Sequence, residues 1–358
     1  MKLTLRDTSR FIYGMLPTWG RSLIGRVDYA MASRARIHHD DRVTPPLRLP
    51  RGVLTLSIDF ELAWAWQYAK DKSESPEAKG LREREQVPVL LRLFEELAMP
   101  ATWATVGHVF LDRCVCGKNG LAHETMPRLQ HFESDLWSFT SGDWYQYDPC
   151  TDVKRSPAWY GPDLVEAVLR SKVNHEIGCH GFSHAGFGSY CPADVASAEL
   201  QACIDAMAPF GVKPSTFIFP GNDVGHLALF PGYGFTAVRA YPVPPAVIGL
   251  PVRLSDDLWG HHVTSAIDRG YLWSKEQRAA RLCRFIDTAA RERLATHIWF
   301  HPSLPSEEIG DVLSVVLRHA AALRDKGQLD ILTNAQLLAS VRRNGHDSEP
   351  RITAGEGA

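Results

Sequence analysis

Short apolar runs alternate with segments of helical periodicity along most of this chain, and this alternation constrains its fold more than any other feature. The first run, Val53–Ile58, is apolar and ends at a charged residue, as buried strands of parallel sheets do. Helical periodicity follows from Val87 to Leu97, and Pro100 separates it from the next strand, at 101–106. The pattern predicts an α/β protein, either a parallel barrel or a wound sheet, whose strand ends carry the chemistry. Further strands are predicted at 175–180, 216–219, 235–239, 296–301 and 329–332, and further helices at 163–173, 192–210, 275–294, 307–326 and from 334.

The sequence divides into three parts. Residues 1–50 are predicted to be an N-terminal extension and linker, because prolines cluster before the first strand. Packing of this extension on its own domain is favoured over contact with a membrane or a partner. Residues 51–343 are predicted to form the main, catalytic domain. Residues 344–358 are polar and glycine-rich, which predicts a disordered tail.

Composition excludes some classes of function. The 358 residues carry a formal net charge of -2 with no basic stripe, so nucleic acid is not an expected partner. The seven cysteines are an odd number and only Cys114 and Cys116 lie close together, so we interpret them as reduced thiols. No transmembrane run and no secretory signal are evident, which favours a cytoplasmic location.

Ionisable or turn-forming residues follow several predicted strands. They are Asp59 and Glu61, His180 and His184, the turn Pro220–Asp223, and His301. Because the carboxyl ends of parallel strands meet on one face, these side chains are expected to converge. Two imidazoles and a carboxylate suit a catalytic zinc site, which uses three protein ligands and keeps a further position open. The spacing leaves a second carboxylate to act on water.

These motifs resemble, in order, those of the polysaccharide deacetylases of the NodB-homology type, also called carbohydrate esterase family four, over roughly residues 50–340. Segment 57–61 resembles the first motif in a variant form that separates its two acids by one residue. Segment 180–184 resembles the second motif, and segment 296–302 resembles the last. The resemblance implies a deformed (β/α) barrel with an N-terminal extension and an aromatic-rich insert. It also implies a catalytic base at Asp59, a general acid at His301, and one divalent ion, with Zn²⁺ expected before Co²⁺, Ni²⁺ or Mn²⁺, at Glu61, His180 and His184.

The third motif departs from the family pattern. It normally carries an arginine that pairs with the catalytic aspartate, whereas the turn Pro220–Asp223 contains neither Arg nor Lys. An arginine lowers the pKa of a neighbouring carboxylate and fixes its rotamer, so its loss puts catalytic strength in doubt unless Arg253 or Arg239 substitutes. If nothing substitutes, Gly221→Arg is expected to raise turnover. The family's Asp-Trp element has its nearest counterpart in segment 255–259.

The resemblance implies a hydrolase that removes N-acetyl groups from an amino-sugar polysaccharide or glycan precursor. Cleavage of an amide needs a proton on the departing amine, which a histidine donates well near neutral pH. The residues expected to contact the sugar are Trp64, Trp66, Pro220, Gly221, Asn222 and His297. The aromatic insert from Cys114 to Tyr160 suits both stacking on sugar rings and packing as a lid.

Two alternatives stay open, an amidase acting on a small cyclic amide and a non-catalytic sugar-binding relative. An N-acetylated carbohydrate is the expected partner, and assembly into a homo-oligomer is left open.

Overall fold

A large, mostly parallel sheet organises the protein, for which a computed structural model describes residues 36–38, 47–239, 247–267 and 273–345. The strands are β1 (Arg36–Ile37), β2 (Gly52–Phe60), β3 (Thr102–Thr105), β4 (Phe132–Glu133), β5 (Ser138–Phe139), β6 (Glu176–Cys179), β7 (Thr216–Ile218), β8 (Ala237–Arg239), β9 (Val247–Ile248), β10 (Val252–Arg253), β11 (Trp259–His261), β12 (Ser265–Ala266), β13 (Ala295–Phe300) and β14 (Leu329–Leu332). The helices are α1 (Pro76–Leu97), α2 (Pro162–Leu169), α3 (Ala193–Met207), α4 (Lys275–Glu292), α5 (Ser306–Glu308), α6 (Ser314–Asp325) and α7 (Asn334–Gly345).

The main sheet has the order β10-β11-β8-β7-β6-β3-β2-β13-β12, and β14 pairs with the first half of β2. Its neighbouring strands are parallel except β10 and β11. Parallel pairing brings the carboxyl ends of these strands to one edge, where the predicted site residues lie. Since Phe300 pairs with Ile58, His301 follows its strand level with Asp59.

The sheet curls strongly between β8 and β2. Three strands lie between these two in the sheet order, so their backbones would be about 19 Å apart if the sheet were flat. The guanidinium of Arg239 on β8 nevertheless contacts the carboxylate of Asp59 on β2 at 2.7 Å. An α/β sheet curled in this way is a deformed, open barrel, as expected.

Strand β2 has one apolar and one polar face. Leu54, Leu56 and Ile58 belong to the large apolar core that includes Phe94 of α1 and Phe285 of α4. The alternate residues Thr55, Ser57 and Asp59 face the inside of the curled sheet. Although all nine residues of β2 are buried, the strand can therefore supply a polar interior beneath the site.

Most predicted elements are present, and the largest difference is at α1. This helix begins at Pro76 and not at Val87. Ser75 caps it by accepting a hydrogen bond from the Ala78 N–H, and the fixed φ of Pro76 suits the first helical position. Polar residues occupy buried positions in its first half, among them Glu83, so the apolar periodicity shows only the second half. Helix α2 is also shorter than predicted and ends at Leu169.

The described parts of the N-terminal extension contact the main domain. Arg36 and Ile37 pair with Val247 and Ile248, and Leu49 is buried. The rest of residues 1–50 and the predicted tail from residue 346 lie outside the described residues, and α7 runs two residues past the predicted boundary at 343.

The interpretation of the cysteines as reduced thiols is wrong for one pair. Cys116 and Cys150, which are 34 residues apart, form a disulfide, while the other five cysteines are free. Spacing could not reveal this pair, because the intervening insert folds back on itself. Disulfides are typical of oxidising compartments, and the cytoplasmic location stays a prediction. Within the described ranges, no helix is both long and apolar enough to cross a membrane.

Candidate active site

Three predicted metal ligands meet at the carboxyl edge of the sheet. The Nε2 atoms of His180 and His184 lie 2.8 and 3.2 Å from Oε1 of Glu61. Glu61 follows β2 and His180 follows β6, while His184 has a positive φ of 63° in the loop between β6 and α3. One donor atom of each residue lies within 4.8 Å of the other two, and all three residues are buried. The structure thus brings these three residues together.

The hydrogen bonds around this cluster suit a cation. The ring of His180 is fixed, because its Nδ1–H donates to the carbonyl of Ile218 at 2.7 Å. A backbone acceptor on one ring nitrogen leaves the lone pair of the other free for a metal, the usual arrangement at metal-bound histidines. The second oxygen of Glu61, Oε2, is buried and accepts no hydrogen bond, and its neighbour is Nε2 of His301 at 3.5 Å. A neutral His180 and an ionised Glu61 would face each other as two acceptors, and a divalent ion between them would satisfy both.

Electrostatics favour the ligand forms of these groups. Burial opposes ionisation of Glu61, but the neighbouring His301, His184 and His180 outweigh burial and hold the pKa of Glu61 well below its usual value. Burial lowers the pKa of His184, against the attraction of Glu61. A carboxylate and a neutral imidazole are the forms that bind a metal.

Arg239 supplies the partner of Asp59 that the third motif lacks. Its guanidinium donates to both oxygens of Asp59 at 2.7 Å and to the hydroxyl of Ser57 at 2.9 Å. Asp59 and Arg239 are 2% and 1% exposed, so this bidentate pair is shielded from water. Of the two candidates named from sequence, Arg239 is therefore the substitute. Arg253 instead bonds to Asp256 near the surface.

His301 lies beside both acids. One nitrogen of His301 and one oxygen each of Asp59 and Glu61 lie within 4.8 Å of one another. Burial lowers the pKa of His301, but Glu61, Asp59 and Glu83 outweigh burial and raise it to about 9. These acids favour the protonated form of His301, which is the form that a general acid needs. Its side chain is 24% exposed, which leaves it accessible to a substrate.

Two buried acids that sequence reasoning missed hold the site loops. Glu83 of α1 accepts hydrogen bonds from the backbone N–H groups of Glu61 and Leu62, at 2.7 and 3.1 Å. Burial and the Glu61 carboxylate raise the pKa of Glu83 to about 8. Glu199 of α3 accepts from the N–H groups of Phe182 and Ser183, at 2.8 and 2.9 Å, within the second motif. The sequence did contain a signal for these two residues, because each is an acid on the apolar face of its helix.

The structure corrects the expectations for His297 and Trp64. His297 is 3% exposed, and its ring nitrogens lie 2.8 and 2.9 Å from the hydroxyls of Thr55 and Ser57. Burial, with the charge of Arg239, holds the pKa of His297 well below its usual value. Its neutral ring thus supports Ser57 beneath the Asp59–Arg239 pair and does not face a substrate. Trp64 is fully buried and donates to the carbonyl of Trp159.

The proposed counterpart of the Asp-Trp element is not at the site. The Asp256 side chain is 94% exposed and pairs with Arg253. Trp259 is buried in a separate apolar cluster with Leu49 and Leu338. His301 instead packs against the rings of Trp66 and Trp299, with centroids 5.4 and 5.2 Å away. Segment 255–259 resembles the family element only in sequence.

The insert contributes to the site through a few of its aromatic residues. Trp144, Tyr145, Trp159 and Tyr160 are buried, so most of the insert packs as a cover. A pocket beside His184 is lined mainly by aromatic rings and a tight turn, from Phe132, Trp137, Trp144, Tyr190, Pro220 and Gly221. Trp137 is half-buried and its ring centroid lies 5.9 Å from that of His184. Asn222 lies in the same turn, outside the lining of this pocket.

Arginine at position 221 is now expected to impair the protein. Gly221 has a φ of 63°, and a Cβ there would lie 2.5 Å from the Trp137 ring. Gly221→Arg should therefore cost about 1–3 kcal/mol of stability through backbone strain alone and should also lower turnover. Gly327→Arg is the matched control, because Gly327 has a φ of 70° with open space around it. Thermal unfolding and turnover of both variants separate backbone strain from displacement of Trp137. Higher turnover in Gly221→Arg would show that Arg239 does not replace the missing arginine.

Comparison with known proteins identifies the fold. No family sequence model and no curated protein matches the chain. Among solved structures, a protein from Mycobacterium smegmatis described as a polysaccharide deacetylase matches with a TM-score of 0.56 and 14% identity, over 86% of this chain and 96% of that one. Puue allantoinase matches with a TM-score of 0.55 and 12% identity, over 83% and 92%. A protein from Pseudomonas aeruginosa PAO1 described as a polysaccharide deacetylase matches with a TM-score of 0.54 and 12% identity, over 83% and 92%. The chain therefore has the fold of the NodB-type polysaccharide deacetylases.

Proposed function

We propose that this protein is a metal-dependent hydrolase that removes N-acetyl groups from an amino-sugar polysaccharide or glycan precursor. The observation that carries the proposal is the buried bidentate pair of Asp59 and Arg239 next to Glu61 and His301. It supplies the aspartate partner whose absence from the third motif favoured a non-catalytic relative. The polysaccharide deacetylases among the structural neighbours support the choice of substrate class.

Asp59 and His301 fit the two proton transfers that amide hydrolysis needs. Asp59 is the proposed base, because Arg239 holds its carboxylate in one orientation and Glu61 lies two residues away. His301 is the proposed acid, because it lies beside Asp59 and Glu61, which favour its protonated form, and its partly exposed ring can give a proton to the departing amine. When bound by Glu61, His180 and His184, a divalent ion such as Zn²⁺ would supply Lewis-acid polarisation of the amide carbonyl.

The walls around these residues suit a sugar ring with an acetamido group. The pocket beside His184 is largely aromatic, and Trp66 packs against His301. Aromatic faces stack well on the apolar faces of sugar rings, and a small apolar pocket suits a methyl group. Trp66, Trp137 and the turn Pro220–Asn222 are therefore the proposed substrate contacts.

A second candidate is an amidase that acts on a small amide, favoured by the similarity to Puue allantoinase. Both candidates would use Asp59 and His301 in the same roles. Product analysis separates them, because deacetylation releases acetate and opening of a cyclic amide releases nothing. Acetate release from N-acetylglucosamine oligomers, measured beside ring opening of small cyclic amides, tests the choice.

Loss of one ligand should remove the ion. His180→Ala is expected to lower the bound metal by one equivalent and to abolish hydrolysis, because two remaining ligands hold a divalent ion poorly. Metal analysis of the purified, dialysed protein measures this. His226→Ala is the control, since the ring of His226 bonds to the carbonyl of Cys191 away from the cluster. Full metal content in His180→Ala would contradict the ligand assignment.

A further inference from the structure

A second cluster of metal-binding groups lies at the base of the aromatic insert. It contains His108, Cys114, His123 and Asp148. The Nε2 atom of His108 lies 2.9 Å from Sγ of Cys114 and 3.0 Å from Oδ2 of Asp148. The Nε2 atom of His123 lies 3.4 and 3.2 Å from the same two atoms. One donor atom from each of the four residues lies within 4.8 Å of the other three.

Hydrogen bonds alone explain this arrangement poorly. Each Nε2 carries either one hydrogen or one lone pair, yet each faces both a sulfur and a carboxylate oxygen. In a hydrogen-bonded network, each hydrogen points toward one acceptor. Here, four potential metal-ligand atoms lie around a single point. The side chains of His108 and Asp148 have no exposed surface, so bulk solvent does not complete the pairing. A single cation at the common point would satisfy all four groups.

The surroundings orient Asp148 toward that point. Its other oxygen, Oδ1, accepts hydrogen bonds from the Tyr160 hydroxyl at 3.0 Å and from the Cys150 N–H at 2.9 Å. These bonds leave Oδ2 for the cluster. Hydrogen bonds of this kind fix the ligands of metal sites and increase metal affinity.

We propose that His108, Cys114, His123 and Asp148 form a second, structural metal site that binds Zn²⁺. One thiolate, two imidazoles and one carboxylate match the ligand types and the tetrahedral number of zinc. On binding, Cys114 gives up its thiol proton to solvent and ligates as the thiolate. Four protein ligands leave no open position, which distinguishes this site from the cluster at Glu61.

The site ties the insert to the residues that follow β3. His108 follows β3, Cys114 begins the insert, and Asp148 lies within the insert, twelve residues before Tyr160. The Cys116–Cys150 disulfide is two residues from two of the ligands, so zinc and disulfide close the same loop together. Within this loop, Trp144 donates to the hydroxyl of Ser183 at 2.8 Å, in the second motif. The zinc thus holds the insert against the candidate active site without taking part in its chemistry.

Cobalt substitution tests the proposal on the whole wild-type chain. Metal-free protein, prepared without reducing agent, is loaded with Co²⁺ and its absorption is recorded. The expected result is the near-ultraviolet charge-transfer band of a thiolate bound to Co²⁺, together with the intense visible bands of a tetrahedral site. The cluster at Glu61 contains no sulfur and cannot produce the first band, so the result does not depend on the hydrolase proposal. Absence of the thiolate band in the wild-type protein would overturn the proposal.

Variants assign the band to these residues. Cys114→Ser should lose the band and one equivalent of metal, while His180→Ala should keep the band. Cys283→Ser is the matched control, because Cys283 is a free cysteine on α4, away from the cluster. If Cys114→Ser does not fold, His123→Gln at the more exposed ligand should lose tight metal binding. A band that survives both Cys114→Ser and His123→Gln would contradict the site.

Discussion

Asp59→Asn is expected to slow hydrolysis by about two to four orders of magnitude, the usual contribution of a general base, and to leave the metal content unchanged. Asparagine keeps the shape of the side chain but cannot take a proton from water. Glu61, His180 and His184 are untouched by the substitution, so the ion should stay bound. Turnover and metal analysis on the same preparation measure both effects.

Asp256→Asn is the control for this prediction, because Asp256 is 94% exposed and belongs to the segment that resembles the Asp-Trp element only in sequence. It should retain full turnover. Full activity in Asp59→Asn would show that another residue is the base. Loss of turnover in Asp256→Asn would show that segment 255–259 does contribute to the active site.

Arg239→Met is expected to destabilise the protein by about 3–5 kcal/mol, because it leaves the Asp59 carboxylate buried without its partner. Turnover should fall as well, since nothing else in the described residues holds both oxygens of Asp59. Denaturant unfolding measures the stability change. Arg253→Met, at a more exposed arginine, should change stability by no more than about 0.5 kcal/mol.

The double variant Asp59→Asn with Arg239→Met separates pairing from packing. If the cost of Arg239→Met comes from the unpaired charge, neutralising Asp59 should recover a large part of it. Equal destabilisation in the single and double variants would show that the arginine stabilises through packing, for example against the Trp299 ring 4.7 Å away. The ion pair with Arg239 would then not be what holds Asp59 in position.

Several features of the fold followed from local sequence patterns. The apolar run before Asp59 predicted β2, and the polar residues after successive strands predicted the edge where Glu61, His180 and His301 meet. Both signals are local, because the periodicity of a strand and the polar residues at its end depend on only a few consecutive residues. The ordered motifs then implied the deacetylase-type fold, which the structural comparisons confirm.

Other features depend on curvature, which local patterns do not show. The sequence named Arg253 and Arg239 as possible partners of Asp59, and the curl of the sheet across three intervening strands is what selects Arg239. The Cys116–Cys150 disulfide likewise depends on how the insert folds back. His297 and Trp64 were wrongly assigned to the substrate, because position near a motif does not show which way a side chain points. For His297, the period of two along β13 put it on the same face as His301, but deeper inside the sheet.

The most direct test of this account is acetate release from N-acetylglucosamine oligomers by the zinc-loaded wild-type protein. We expect one acetate for each free amine formed, with turnover that is lost in Asp59→Asn. The contradictory result is a folded, metal-loaded protein that binds the oligomers but releases no acetate from any amide or ester substrate. That protein would be a sugar-binding relative in which Arg239 preserves the form of the site without its activity.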